Sequence, residues 1–240
     1  MVPIKILIVA TSHAQMGSTS NKAGLWLETL AVPYYIFKEA GMLLTLASPK
    51  GGPVPLDPKS ESIIVSTSTT KRFQKDPEAI AFLEHALPLS TQIAQDFDLV
   101  YLPGGHGPMW DFTCNSHLKE LLEDFNRQGK PIGAVSHGVA SLVTAMNDLG
   151  EPLMKGRQLT AYSNAEEQIS GLTAVVPFSL ESALVALGSS YSKGVNFEAY
   201  TVTDGNIITG QNAASAKEVA RKLLLLLKGM PKKAEALVLP

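Results

Sequence analysis

Ala134-Val135-Ser136-His137-Gly138 is the segment of this chain whose residue types are best suited to covalent chemistry. It follows the apolar run from Pro131 and precedes a helical pattern, so Ser136 falls on a strand-to-helix turn. A side chain on such a sharp turn is pushed out over the sheet, and small neighbours let the backbone fold tightly enough. The amides that open the next helix face any negative charge that develops there. His137, adjacent in sequence, is the candidate base, and a carboxylate from elsewhere must orient it. Glu166 and Glu167, in Tyr162-Ser163-Asn164-Ala165-Glu166-Glu167, are the candidates after the turn. An α/β-hydrolase triad is excluded by counting: its order needs a histidine downstream of the serine, and the five histidines end at His137. Taken alone, the tripeptide reads first as a helix N-cap serine beside an incidental histidine.

A second segment, Pro103-Gly104-Gly105-His106-Gly107, closes a strand with glycines. It is either a plain turn or a place where backbone N–H groups approach a substrate closely. It lacks the GxxxxGK[ST] spacing of a phosphate loop. The single cysteine, Cys114, reads as a small buried hydrophobe rather than a nucleophile. His13 and His106 both fall at strand ends, which by itself assigns no metal.

The elements that must position these residues alternate in type. Ile4–Ala10 is a continuous apolar run, as in a strand buried on both faces. A helix is expected over Gly24–Ala40, bent near Pro33, then a strand at Leu43–Ala47 and a weaker one at Ile63–Ser66. Pro77–Leu87 reads as a helix with Asp76 as N-cap. Asp98–Leu102 is a strand, and Leu118, Leu121, Leu122 and Phe125 mark one buried helix face. After the strand Pro131–Val135 come a helix over Gly138–Met146, a strand at Gln158–Ala161 and a helix at Leu180–Leu187. Tyr200–Thr203 and Ile207–Thr209 flank the turn Asp204-Gly205-Asn206. Ala216, Val219, Ala220, Leu223, Leu224 and Leu227 form the stripe of a last helix. Alternating strands and helices imply an α/β fold, a doubly wound and mainly parallel sheet with helices on both faces. Such a sheet binds ligands at the carboxyl ends of its strands, where the segments of Ser136 and Gly104-Gly105 fall. Residues 1–229 are read as one domain and 230–240 as a loosely held tail.

Bulk properties narrow the partners. A chain of 240 residues with 45% hydrophobic residues can bury a core. A net charge of −2 with scattered basic residues argues against nucleic acid. No apolar stretch is long enough to span a membrane, no secretory signal is visible, and one cysteine allows no internal disulfide, so a cytoplasmic location is expected.

Five segments in order extend the reading: Gly24-Leu-Trp-Leu-Glu28, Ser48-Pro49-Lys50-Gly51-Gly52, Leu102-Pro103-Gly104-Gly105-His106-Gly107, Ala134-Val135-Ser136-His137-Gly138, and Asp204-Gly205-Asn206 through Thr209-Gly210-Gln211-Asn212. Together they resemble the ThiJ/PfpI superfamily, and within it the heat-shock chaperone-like branch with glyoxalase III activity. The resemblance implies a flavodoxin-like sheet of the class I glutamine amidotransferase type and cofactor-free conversion of 2-oxoaldehydes such as methylglyoxal to 2-hydroxy acids. Frequent homodimerisation is also implied, and no metal site is expected. Ser136 then occupies the place of a catalytic cysteine, His137 that of its partner, Glu28 that of a helix-borne glutamate facing the nucleophile, and Glu167 that of the acidic member. Gly105, flanked by Gly104 and His106, would join the His137 amide as the oxyanion site. Burial on the apolar stretch around Leu25–Leu30 should raise the pKa of Glu28, which would then donate a hydrogen bond to residue 136. Serine is the departure: its hydroxyl needs an active base, whereas cysteine is already partly thiolate at neutral pH. The expected activity is therefore absent or weakened. A serine hydrolase or amidase on the same turn, and a non-enzymatic holdase or sensor, remain open.

Overall fold

The computed structural model describes residues 3–229; the tail expected at 230–240 lies outside them. In chain order the elements are β1 (Lys5–Val9), α1 (Leu27–Glu39), β2 (Leu43–Ser48), α2 (Ser68–Phe73), α3 (Pro77–Glu84), β3 (Leu87–Pro88), β4 (Leu99–Leu102), α4 (Pro108–Asp111) and α5 (Ser116–Arg127). They continue as β5 (Ile132–Val135), β6 (Gln158–Leu159), α6 (Asn164–Ile169), α7 (Leu180–Ala186), β7 (Ser190–Tyr191), β8 (Thr201–Asp204), β9 (Ile207–Gly210) and α8 (Ala216–Gly229).

Seven strands form one sheet in the order β3-β2-β1-β4-β5-β9-β8, parallel except for the β8–β9 hairpin. Counting its five central strands by chain position gives the order 2-1-3-4-5, the flavodoxin-like winding. The sheet's period-2 alternation divides the core. Leu7, Val9, Val100, Leu102, Ile132 and Ala134 pack toward α5. Ile6, Ile8, Leu99, Tyr101, Val135 and Ile208 pack toward α1 and α8. The helix stripes meet these faces as their spacing requires, with Leu118, Leu121, Leu122 and Phe125 buried from α5 and Ala216, Val219, Ala220 and Leu223 from α8. Asp76 caps α3 by accepting from the amides of Glu78 and Ala79.

Four expectations change. Ile63–Ser66 is not a strand: Ile63 and Ile64 are 89% and 95% exposed in a turn, because no neighbouring strand is there to pair with them. α1 begins only at Leu27. The backbone before it is engaged elsewhere, Leu25 N–H donating to Pro55 O and Trp26 N–H to Gly104 O, and the helix then runs on through Pro33. The helix expected over Gly138–Met146 is a buried 3-10 segment, Ser136–Leu142. The strand at Gln158–Ala161 shrinks to β6, which pairs with β7 in a separate two-stranded sheet beside the β8–β9 hairpin. Among the described residues no helix is long and apolar enough to cross a membrane.

Candidate active site

β4 and β5 lie side by side and release their two loops at the same carboxyl edge. Ser136 leaves β5 with φ +58, a left-handed conformation that a serine adopts only under constraint. Two glycines make room for it. A Cβ at Gly104 would come within 2.6 Å of Ser136 Cβ, and one at Gly138 within 2.4 Å of Leu102 O. The glycine loop after β4 is thus shaped around the serine. It is also fixed from α1: Thr29 Oγ1 accepts the Gly104 N–H at 2.9 Å and donates to Trp26 O at 2.7 Å. The Gly104 amide is thereby engaged within the fold. Gly105, with φ +111, packs its backbone against Gly24 and Trp26, and its own N–H has no acceptor among the described residues.

Next to the serine, three side chains form one hydrogen-bonded group. His137 Nε2 lies 2.7 Å from Glu167 Oε2, and His106 Nε2 lies 3.0 Å from Glu167 Oε1. All three are buried. Burial alone would raise the Glu167 pKa; the hydrogen bonds from His106 and His137 outweigh it and bring the carboxyl down to about 2. Burial, aided by His106, pushes His137 down to about 4 against the pull of Glu167. At neutral pH this assigns an ionised carboxylate and a neutral imidazole that donates from Nε2. The Nδ1 lone pair of His137 is left for Ser136 Oγ, 3.5 Å away. A histidine directly after the nucleophile can reach it only with the nearer ring nitrogen, so the two nitrogens exchange the roles they have in serine proteases.

The two glutamates that sequence alone leaves open have separate tasks. Glu167 meets His137, whereas the fully buried Glu166 accepts from Ser163, from Asn212 Nδ2 and from the Phe197 N–H. Glu28 lines a cavity of about 520 Å3 together with Gly105, His106, Ser136 and His137, so all these residues share one compartment. Burial raises its pKa, as expected. The expected hydrogen bond to Ser136 is not formed, and the Glu28 carboxyl has no hydrogen-bond partner among the described residues.

His106, His137 and Glu167 are also the one group of metal-ligand type among the described residues, their ligand atoms all within 4.8 Å of one another. Each Nε2 addresses its own carboxylate oxygen, and the two rings lie tilted by 38° with their centroids 4.2 Å apart. His13 belongs to no such group and stacks on Trp110 at 5.0 Å. Cys114 is exposed, not buried as its composition class suggested. Sequence reasoning missed the aromatic wall. Tyr162 lies 4.4 Å from the His137 ring, and Trp26 and Phe197 line the cavity, with no pattern in the chain to announce them.

A family model described as DJ-1/PfpI matches residues 27–226. The chain belongs to the DJ-1/PfpI family. Three relatives of this DJ-1/PfpI chain illustrate its range. The glutathione-independent glyoxalase HSP31 of Saccharomyces cerevisiae is 25% identical over 238 residues, which cover 95% of this chain and all of that protein. The crystal structure of glyoxalase III from Candida albicans superposes with a TM-score of 0.86 at 25% identity, covering 92% of this chain and 96% of the other. The Rapid Encystment Protein 24 kDa of Francisella tularensis superposes at 0.89 with 35% identity, covering 93% and 99%.

Proposed function

We propose that this cavity is a glyoxalase III-type site that takes 2-oxoaldehydes such as methylglyoxal, with turnover limited by Ser136. The carrying observation is that Ser136, Glu28 and Gly105 share one compartment in a DJ-1/PfpI chain whose relatives include named glyoxalases. In this reading the Ser136 Oγ adds to the aldehyde carbon while its proton passes to His137 Nδ1. The alkoxide that forms is met by the amides of Gly105 and His137. Glu28 as carboxylate removes the hydrogen from the aldehyde carbon and returns it to the neighbouring carbon. The first carbon is thereby oxidised to an acyl ester and the second reduced to an alcohol, without an external electron carrier. Water then releases the 2-hydroxy acid. His106 acts as a positioning residue by holding the second oxygen of Glu167.

The proton-transfer step is where serine fails. A hydroxyl needs a capable base, and an imidazole pushed down to about 4, with a 3.5 Å contact, is a poor one. Cysteine in its place would be deprotonated far more readily. The test is glutathione-free formation of lactate from methylglyoxal by the serine-bearing protein, by Ser136→Cys and by Ser136→Ala. Activity that rises in the cysteine form supports the reading.

The continuous Ser136–His137–Glu167 chain supports a second reading, a serine hydrolase or amidase. Ester turnover that vanishes in Ser136→Ala would favour it. Suppression of aggregation with no turnover in any form would instead favour a holdase. Homodimerisation, proposed from the resemblance, is tested by sedimentation.

A further inference from the structure

The cavity is larger than methylglyoxal requires. Five heavy atoms at about 20–30 Å3 each occupy roughly 100–150 Å3, against a cavity of about 520 Å3. The remaining wall is mostly apolar: Trp26, Val65, Tyr162, Leu172 and Phe197 line it.

Phe197 is the unusual member. Its φ is +62, a region where a bulky side chain is strained. The ring is 47% exposed, so core burial does not hold it there. Its own backbone does, by donating N–H to Glu166 Oε1 at 2.7 Å. The same oxygen accepts Asn212 Nδ2 at 2.8 Å, and Asn212 also donates to Glu198 O at 2.8 Å, which pins the loop on both sides of the phenyl ring. The result is an aromatic row: Phe197 lies 6.4 Å from Tyr162, and Tyr162 lies 4.4 Å from His137. Glu166 fixes one end of that row, and its sequence neighbour Glu167 fixes the other.

We propose that Phe197 is a specificity-determining residue, selecting 2-oxoaldehydes with a bulky apolar, preferably aromatic, substituent over glyoxal. This rests on the glyoxalase-type reading above. An aryl group reaching from the serine along the row would replace water against Tyr162 and Phe197, and aromatic pairing adds to the gain from apolar burial.

Phenylglyoxal and glyoxal are the probes, with kcat/KM measured for Ser136→Cys alone and combined with Phe197→Ala or Phe197→Gly. The expected ratio of phenylglyoxal to glyoxal falls about tenfold in both double variants, chiefly through KM for phenylglyoxal. Phe197→Gly should also melt above Phe197→Ala, because glycine accepts the positive φ and alanine does not. A ratio changed by less than twofold, or a glycine variant less stable than the alanine one, overturns the proposal. If Ser136→Cys turns over neither probe, the glyoxalase reading itself has failed. Calorimetric binding of mandelate and glycolate, the two expected products, then decides separately. A tenfold loss confined to mandelate in Phe197→Ala supports an aromatic-selecting wall, and equal losses overturn it.

Discussion

His137 donates its Nε2–H to Glu167 across 2.7 Å and thereby turns its other nitrogen toward Ser136. The order of the site follows from that one bond. It fixes the tautomer, holds the ring against Tyr162, and makes Glu167 the member that the nucleophile depends on without touching it.

Replacing Glu167 by Gln therefore keeps the shape and removes the charge. The amide can still accept on one side, but it presents N–H to whichever histidine faces its nitrogen. In the Ser136→Cys background kcat should drop by about a hundredfold or more. The 15N shifts of His137 should change, because its Nε2–H either loses its acceptor or meets a neutral one. A variant with unchanged shifts and near-normal kcat would remove Glu167 from this role.

The same group predicts how stability depends on pH. Glu167 is depressed from 4.5 to about 2, so its contribution is present above the unfolded value and fades as pH falls through this range. His137 is depressed from 6.5 to about 4. The unfolded chain therefore binds this proton first, and stability falls as pH drops from 6.5 toward 4. Both effects have the same sign. Melting temperature should decline on acidification through this window, and the decline should be shallower in His137→Gln. Equal slopes would contradict the assignment of a buried neutral imidazole.

Gly104 offers a steric test. Its would-be Cβ meets Ser136 Cβ at 2.6 Å and Val135 O at 2.8 Å, atoms that belong to the elbow itself. Gly104→Ala should cost about 1–3 kcal/mol in denaturant unfolding, as overpacking does, and should displace Ser136. Unchanged stability with unchanged Ser136 geometry would show that the two loops are less tightly matched than described.

Much of this was legible in the chain. The run Ile4–Ala10, the α5 stripe and the Asp204-Gly205-Asn206 turn yield the sheet, because burial on two faces and helical period leave plain marks in the residues. The motifs located Ser136, His137 and Gly105, which the fold brings to one cavity. Other features were hidden for physical reasons. Ile63 and Ile64 have the residue types of a strand, but pairing depends on a partner that local sequence does not specify. Thr29 locks the glycine loop through a contact between residues 75 apart in sequence, and one threonine among many carries no signal of that. Phe197's positive φ runs against its residue type, so local preference points the wrong way. Glu166 and Glu167 were separable only once the helix start placed one toward His137 and the other toward Asn212 and Phe197.

The most direct test follows methylglyoxal by proton NMR, without glutathione, in the serine-bearing protein, in Ser136→Cys and in Ser136→Cys combined with Glu28→Gln. Lactate should form in the cysteine form at least a hundredfold faster than in the serine form. The added Glu28→Gln should abolish that gain, because the hydrogen can no longer leave the aldehyde carbon. A serine form as fast as the cysteine form, or a Glu28→Gln variant that retains full turnover, would contradict the account.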